Sequence, residues 1–179
     1  RHVSSFSWPP AGLPEQAATT EKEPNQDGSK AQKISLPCDL AGSFFPAADV
    51  DLFEFEAKKG ETFVFEIAAR RRQSGLDSHL RVLNDKGQQL AANDDLRIGK
   101  RNYADSLLEN WVAPADGKYL IEVRDVHLRG GANFPYFLKV DRVKPGFELY
   151  VDTDKTQVAP GGCAVIYCRA ERKGIGRAS

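Results

Sequence analysis

From Asp51 to Ala68 the chain reads DLFEFEAKKGETFVFEIA, and the fold class turns on this stretch. Phe53 and Phe55 alternate with Glu54 and Glu56, and Phe63, Phe65 and Ile67 alternate with Val64 and Glu66. A period of two sends successive side chains to opposite faces of a strand, so each run carries one apolar face. Lys59-Gly60 between them marks a turn, and the pattern predicts a hairpin with Phe53, Phe55, Phe63, Phe65 and Ile67 in the core.

The same grammar continues in both directions. His79 to Leu83 and Gln89 to Ala92 flank Asp85-Lys86-Gly87, where glycine supplies the positive φ of a tight turn. Ser106 to Val112, Pro114-Ala115-Asp116-Gly117 and Tyr119 to Arg124 repeat the arrangement, and Phe134 to Val143 gives one more alternating strand. Turns recur about every ten residues and helical periodicity is nearly absent, which argues an all-β sandwich or barrel of antiparallel strands. On the N-terminal side, residues 1–33 hold Trp8-Pro9-Pro10, Leu13-Pro14, Glu23-Pro24-Asn25 and Asp27-Gly28 without sustained periodicity. They read as a linker or the tail of a preceding domain, with the main domain over residues 34–143. Residues 144–179 supply Phe147 to Val151 and Cys163 to Cys168 as two further strands, an extra C-terminal hairpin that reads as the truncated start of another domain.

Composition excludes several classes. The 179 residues carry 25 basic and 25 acidic groups, and none of the segments 1–33, 34–143 and 144–179 is strongly polarised, so neither nucleic acid nor an anionic membrane is an expected partner. No apolar run approaches the length of a membrane span. With no Met, and no apolar leader after Arg1, the sequence reads as part of a longer chain. Cys38, Cys163 and Cys168 leave an odd thiol over. If Cys163 and Cys168 share a strand, their spacing puts them on opposite faces roughly 16 Å apart, too far to bridge.

Catalytic constellations are scarce. There is no GxSxG, HExxH, Walker-type glycine loop or CxxC, and His2, His79 and His127 are scattered. A hydrolase would need His127, Asp125 and a nucleophile such as Ser106 to converge, and the sequence gives no reason to expect it. Arg70-Arg71-Arg72 reads as a solvated strand end or a basic patch. Tyr103, Trp111, Phe134, Tyr136 and Phe137 belong to the core, or to an aromatic platform for a sugar or peptide if several are exposed on one face.

More distinctive are clustered oxygen ligands without thiols or imidazoles, the set a hard cation such as calcium takes. One cluster joins Glu21, Glu23 and Asn25, alternate residues of an extended segment, to Asp49 and Asp51. A second joins Asn93, Asp94 and Asp95 to Asp105, with Asp77 across a loop. The competing reading of both is Asx turns and strand-end solvation.

Taken in order, Glu23-Pro24-Asn25, Ile34-Ser35-Leu36-Pro37, Gly42, Asp49-Val50-Asp51-Leu52-Phe53, Lys59-Gly60-Glu61, Leu76-Asp77, Asp85-Lys86-Gly87, Asn93-Asp94-Asp95, Asp105-Ser106, Ala113 to Tyr119 and Val123-Arg124-Asp125 resemble the bacterial pre-peptidase C-terminal domain, in the form found in planctomycete-type bacteria. The resemblance covers about residues 21–143, and residues 145–179 look like the start of an immunoglobulin-like domain. It implies a jelly-roll-like β-sandwich of about eight strands, a non-catalytic module of a secreted or surface protein that serves folding, spacing or adhesion. Its partners would be other domains of the same polypeptide, and a polysaccharide or protein. In the related collagen-binding domains, calcium lies between a Glu-x-Glu-Pro-Asn linker and acidic residues before the next strands. Carried over by position, that marks Glu21, Glu23, Asn25, Asp49 and Asp51; Gln26 stands where those relatives carry a further acidic or amide ligand. A different expectation, a carbohydrate- or peptide-binding module that targets an attached enzyme, would need the exposed aromatic platform.

Overall fold

The structure is a computed structural model that describes residues 19–98, 101–143, 146–151 and 156–173. Residues 19–143 belong to one compact unit, and the described residues from 146 onward to a second.

The first unit is an all-β sandwich of two five-stranded sheets. One contains β1 (Thr19–Thr20), β3 (Cys38–Ser43), β12 (Pro135–Arg142), β5 (Thr62–Ala68) and β10 (Leu107–Val112), in that order across the sheet. The other contains β2 (Gln32–Lys33), β4 (Val50–Ala57), β11 (Gly117–Asp125), β6 (Ser78–Asn84) and β7 (Gln89–Asn93). A small pair, β8 (Leu96–Ile98) and β9 (Arg101–Tyr103), lies between β7 and β10 in the chain. The interior strands are antiparallel, but β1 joins β3 and β2 joins β4 in parallel, so both sheets are mixed. These short edge strands come from residues 19–33, the segment whose composition reads as a linker.

The five core residues expected from Asp51–Ala68 are all at most 1% exposed. Phe55 and Tyr119 from one sheet meet Phe63, Phe65 and Trp111 from the other, with ring centroids 5.5–6.2 Å from Phe55. Aromatic pairs at such separations add to the area they bury, so this cluster joins the two layers.

The expected hairpin between β4 and β5 is a corner between sheets. β4 pairs with β11 and β5 with β12 and β10, and the turn after β10 likewise crosses to the opposite sheet. The two corners are bonded to each other: Gly60 N–H donates to Ala113 C=O and Ala113 N–H to Glu61 C=O, both at 2.9 Å, while Lys59 N–H donates to the Asp116 carboxylate at 2.7 Å. Asp85-Lys86-Gly87 does close a true hairpin, β6 with β7, with Gly87 at φ +74°.

In the second unit β13 (Gly146–Val151) pairs antiparallel with β14 (Cys168–Lys173). The strand begins where the expected one over Cys163–Cys168 ends; Val165, Ile166 and Tyr167 precede it and are 51–78% exposed. All three cysteines are free, Cys38 buried and the others exposed. Among the described residues no helix is long and apolar enough to cross a membrane.

Candidate metal centre

Strand register explains how a carboxylate comes to lie inside the sandwich. Asp51 shares the inward parity of Phe53 and Phe55 on β4, and Tyr136 shares that of Leu138 and Val140 on β12. Asp51 and Tyr136 are both fully buried, and the phenol donates to Asp51 Oδ2 at 2.5 Å. Phe44 stacks on the Tyr136 ring at 5.0 Å and holds it in place.

The chain between β1 and β2 crosses the open edge of both sheets and delivers the remaining groups. Glu21 N–H donates to Ala41 C=O of β3 at 2.9 Å, and Leu52 N–H of β4 donates to Asn25 C=O at 3.2 Å. Glu21 Oε1 accepts from Ser43 N–H at 2.7 Å, and its Oε2 lies 3.0 Å from the Tyr136 hydroxyl. Glu23 Oε2 accepts from Asn25 N–H at 3.0 Å and from Gln26 Nε2 at 2.8 Å. Glu21, Glu23 and Asp51 each place one carboxylate oxygen within 4.8 Å of the other two. Gly42 makes the approach of Glu21 possible, since a Cβ there would collide with the Glu21 carboxylate and the Tyr136 ring.

This cluster is short of donors. Tyr136 has one hydroxyl proton but faces two carboxylates, so a second hydrogen or a cation must sit between them. Burial, with the charges of Glu21 and Asp49 adding to it, pushes the Asp51 carboxyl up to about 9. Burial also raises Glu21, and raises the Tyr136 phenol well above its ordinary value. Asp51 Oδ1 and both side-chain atoms of the fully buried Asn25 have no hydrogen-bond partner. Buried polar atoms without partners are rare and costly. Three clustered carboxylates, with Asp51 Oδ1 and the neighbouring Asn25 amide left unpartnered, offer oxygen ligands only, the type of donor that calcium takes.

Asp49 completes the group expected from the sequence, but its oxygens are already engaged. Oδ2 accepts from Phe45 N–H at 3.0 Å, and Oδ1 accepts from Val50 N–H at 3.0 Å and from Gln26 Nε2 at 3.3 Å. The second expected cluster is not assembled. Asp94 and Asp95 are exposed, and Asn93 Oδ1 accepts from Leu107 N–H at 2.9 Å. The buried Asp105 carboxylate accepts from the backbone N–H groups of Ala69 and Arg70 at 3.1 and 2.6 Å and faces Arg71 Nε at 3.4 Å. Its demand is met by donors of a segment more than thirty residues away in sequence. Arg70–Arg72 form the one-turn 3-10 helix that Asp105 caps, rather than a strand end.

The other candidates disperse. Ser106 Oγ donates to Ser78 C=O at 2.8 Å, while the Asp125 carboxylate is held by Arg129 and by the backbone N–H groups of Asp77, His127 and Arg129. No hydrolase triad forms from these three residues. Trp111, Phe134 and Phe137 are half-buried and Tyr136 wholly so, so these four make no exposed aromatic strip; the Tyr103 side chain lies outside the described residues. Sequence reasoning placed Tyr136 among these aromatics and missed its role here. The usable signal was Asp51 itself, an acidic residue in the inward register of a strand.

No known family profile matches the chain. A probable subtilase-type serine protease of Deinococcus radiodurans is 36% identical over 109 residues, 59% of this chain and 14% of the protease, so the chain spans a small part of that relative's length. Among solved structures, the pre-peptidase C-terminal domain of a collagenase from Bacillus anthracis is similar with a TM-score of 0.46 and 17% identity, over 68% of this chain and 100% of that one. The PliG periplasmic inhibitor of g-type lysozyme from Aeromonas hydrophila is similar with a TM-score of 0.44 and 22% identity, over 63% and 95% respectively.

Proposed function

We propose that this chain is a non-catalytic accessory module of a larger secreted or surface protein, a pre-peptidase C-terminal type of sandwich whose N-terminal segment is clamped by calcium. The observation that carries the reading is the pair of fully buried residues, Asn25 and Asp51, with polar atoms left without partners beside two further carboxylates. Support for the module itself comes from the ordered sequence resemblance and from the protease relative, in which the matching region is a small fraction of the whole.

Bound calcium would supply positive charge that carboxylates share as common ligands. The chain's own residues do the rest. Tyr136 orients Glu21 Oε2 and Asp51 Oδ2 from inside the core, Ser43 N–H fixes the other oxygen of Glu21, and the backbone of Asn25 is tied to β4. Closing the site therefore pins residues 21–25 to β3, β4 and β12 together and stiffens the entry to the domain.

Thermal unfolding in millimolar calcium and in chelator tests this, with the wild type beside Asp51→Asn. Calcium should raise the wild-type midpoint by roughly 5–10 °C, the scale set by binding at about 100 times Kd. Asp51→Asn removes a ligand charge while keeping shape, and should unfold near the wild-type midpoint in chelator but ignore calcium. A wild type whose midpoint is the same in both buffers refutes the clamp.

A further inference from the structure

We infer that three interlocked loops at one end of the sandwich form a preformed docking surface for an acidic polypeptide segment that carries an aliphatic or aromatic side chain beside its carboxylates. The surface is built from residues 44–49, 69–77 and 126–134, and calcium has no part in it.

These loops follow β3, β5 and β11, and the third is bonded to both of the others. Ala48 N–H donates to Leu128 C=O at 2.9 Å and Gly131 N–H to Phe44 C=O at 2.8 Å, while Gly75 N–H donates to Asn133 C=O at 2.7 Å and Val126 N–H to Asp77 C=O at 2.8 Å. Gly130 has no room for a side chain, since a Cβ there would lie 2.5 Å from the Pro46 carbonyl oxygen. Of the four non-glycine residues with positive φ among the described residues, three sit here: Ala48 at 65°, Gln73 at 68° and Leu128 at 55°. Such backbone is costly, persists only where its surroundings impose it, and gathers at binding sites.

This frame holds apolar side chains in water. Phe45 is 70% exposed, Leu128 44% and Val126 40%, and a partner that covers them removes that surface from solvent. The same loops carry exposed Arg70, Arg72 and Arg129. Arg72 lies over the Phe137 ring at 4.5 Å, Arg129 over Phe134 at 5.6 Å, and Arg70 Nη1 donates to the carbonyls of Ser74 and Gly75 at 3.4 Å. Guanidinium groups held in this way lose less freedom when they pair with a carboxylate. The acids of the loops are already engaged: Asp49 accepts from backbone N–H groups, and Asp77 faces His127 at 3.8 Å. The outward charge is therefore positive and selects an acidic partner. Phe45, Val126 and Leu128 select a polypeptide over a polysaccharide, whose hydroxylated chain offers aliphatic side chains little to bury against. Arginine and aromatic residues are also the types enriched where proteins meet.

Selection of a displayed random-peptide library on the immobilised 179-residue chain, in calcium and in chelator, tests this. Enriched peptides are synthesised and titrated by fluorescence anisotropy against wild type, Phe45→Ala and Arg72→Glu. The enriched sequences should be net acidic with an aromatic or large aliphatic residue, and each variant should bind them about tenfold more weakly. Both variants should keep the wild-type thermal midpoint within a few degrees, because both side chains are exposed. Failure to enrich any peptide, enrichment of basic or uncharged ones, or equal dissociation constants in the three proteins would overturn the docking surface. Sedimentation of the chain alone tests the other occupant: self-association that Phe45→Ala abolishes would assign the surface to a second copy and overturn the acidic partner. The clamp is read separately, in the calcium response of the midpoint, and can fail without changing these results.

Discussion

Asp51 and Asp125 are both fully buried aspartates, and their carboxyl groups titrate in opposite directions. Burial raises an aspartate, and at Asp51 the hydrogen bond from Tyr136 offsets only part of this while the charges of Glu21 and Asp49 add to it, so the group reaches about 9. At Asp125 burial acts the same way but is outweighed by the Arg129 side chain and the N–H groups of Asp77, Arg129 and His127, which hold it at about 2. Because the folded value lies below the ordinary 3.8, this interaction stabilises the fold above about pH 4 and is lost as pH falls towards 2. It contributes roughly 2 kcal/mol. Denaturant midpoints of wild type and Asp125→Asn should therefore lie apart at pH 6 and converge by pH 2; a constant gap would contradict the assignment. Gly42→Ala asks a steric question at the other aspartate. The new methyl occupies the position of the Glu21 carboxylate and the Tyr136 ring, so both stability and calcium response should fall. An unchanged midpoint in chelator would mean that Glu21 and Tyr136 move aside without cost.

At the level of elements, the long strands of the sandwich were legible, but their pairing was legible only where a tight turn closes a hairpin, as at Asp85-Lys86-Gly87. Alternation in Asp51–Glu56 and Thr62–Ala68 arises because each strand buries one face, and it does so whichever sheet the strand joins. A turn such as Lys58 to Glu61 connects neighbours in one sheet or opposite layers with equal ease. What decides is its bonding to the second corner at Ala113 and Asp116, a contact some 50 residues away in sequence. The strands β1 and β2 were illegible for a related reason: two-residue edge strands have no periodicity to read. They matter because they cover β3 and β4, whose backbone edges are otherwise templates for pairing with another chain. A variant that begins at Ile34 should lose the calcium response and self-associate, seen as a concentration-dependent rise in sedimentation coefficient. If it stays monomeric and as stable as the parent, the edge-covering role of residues 19–33 is wrong.

Across the sandwich unit, β4 connects two regions with different duties. Asp51 near one end enters the carboxylate cage, and Phe55, four residues and about 13 Å on, enters the aromatic cluster that joins the layers. The core was readable because apolar alternation is dense and local, whereas the cage depends on Glu21, Asp51 and Tyr136, which the chain brings together from three distant segments. With this separation, stability and the proposed cation binding would be independently adjustable. Phe55→Ala removes a ring that touches four other aromatics and should cost about 3–5 kcal/mol of unfolding free energy. Measured at a temperature where this variant is still folded, its calcium dissociation constant should match the wild type, because no ligand is displaced. Asp51→Asn should show the converse, abolished binding at nearly unchanged stability in chelator. If Phe55→Ala weakened calcium binding as much as it weakened the fold, the cage would be a product of global packing, and the linker clamp would have to be abandoned for a general effect of cations on the whole sandwich.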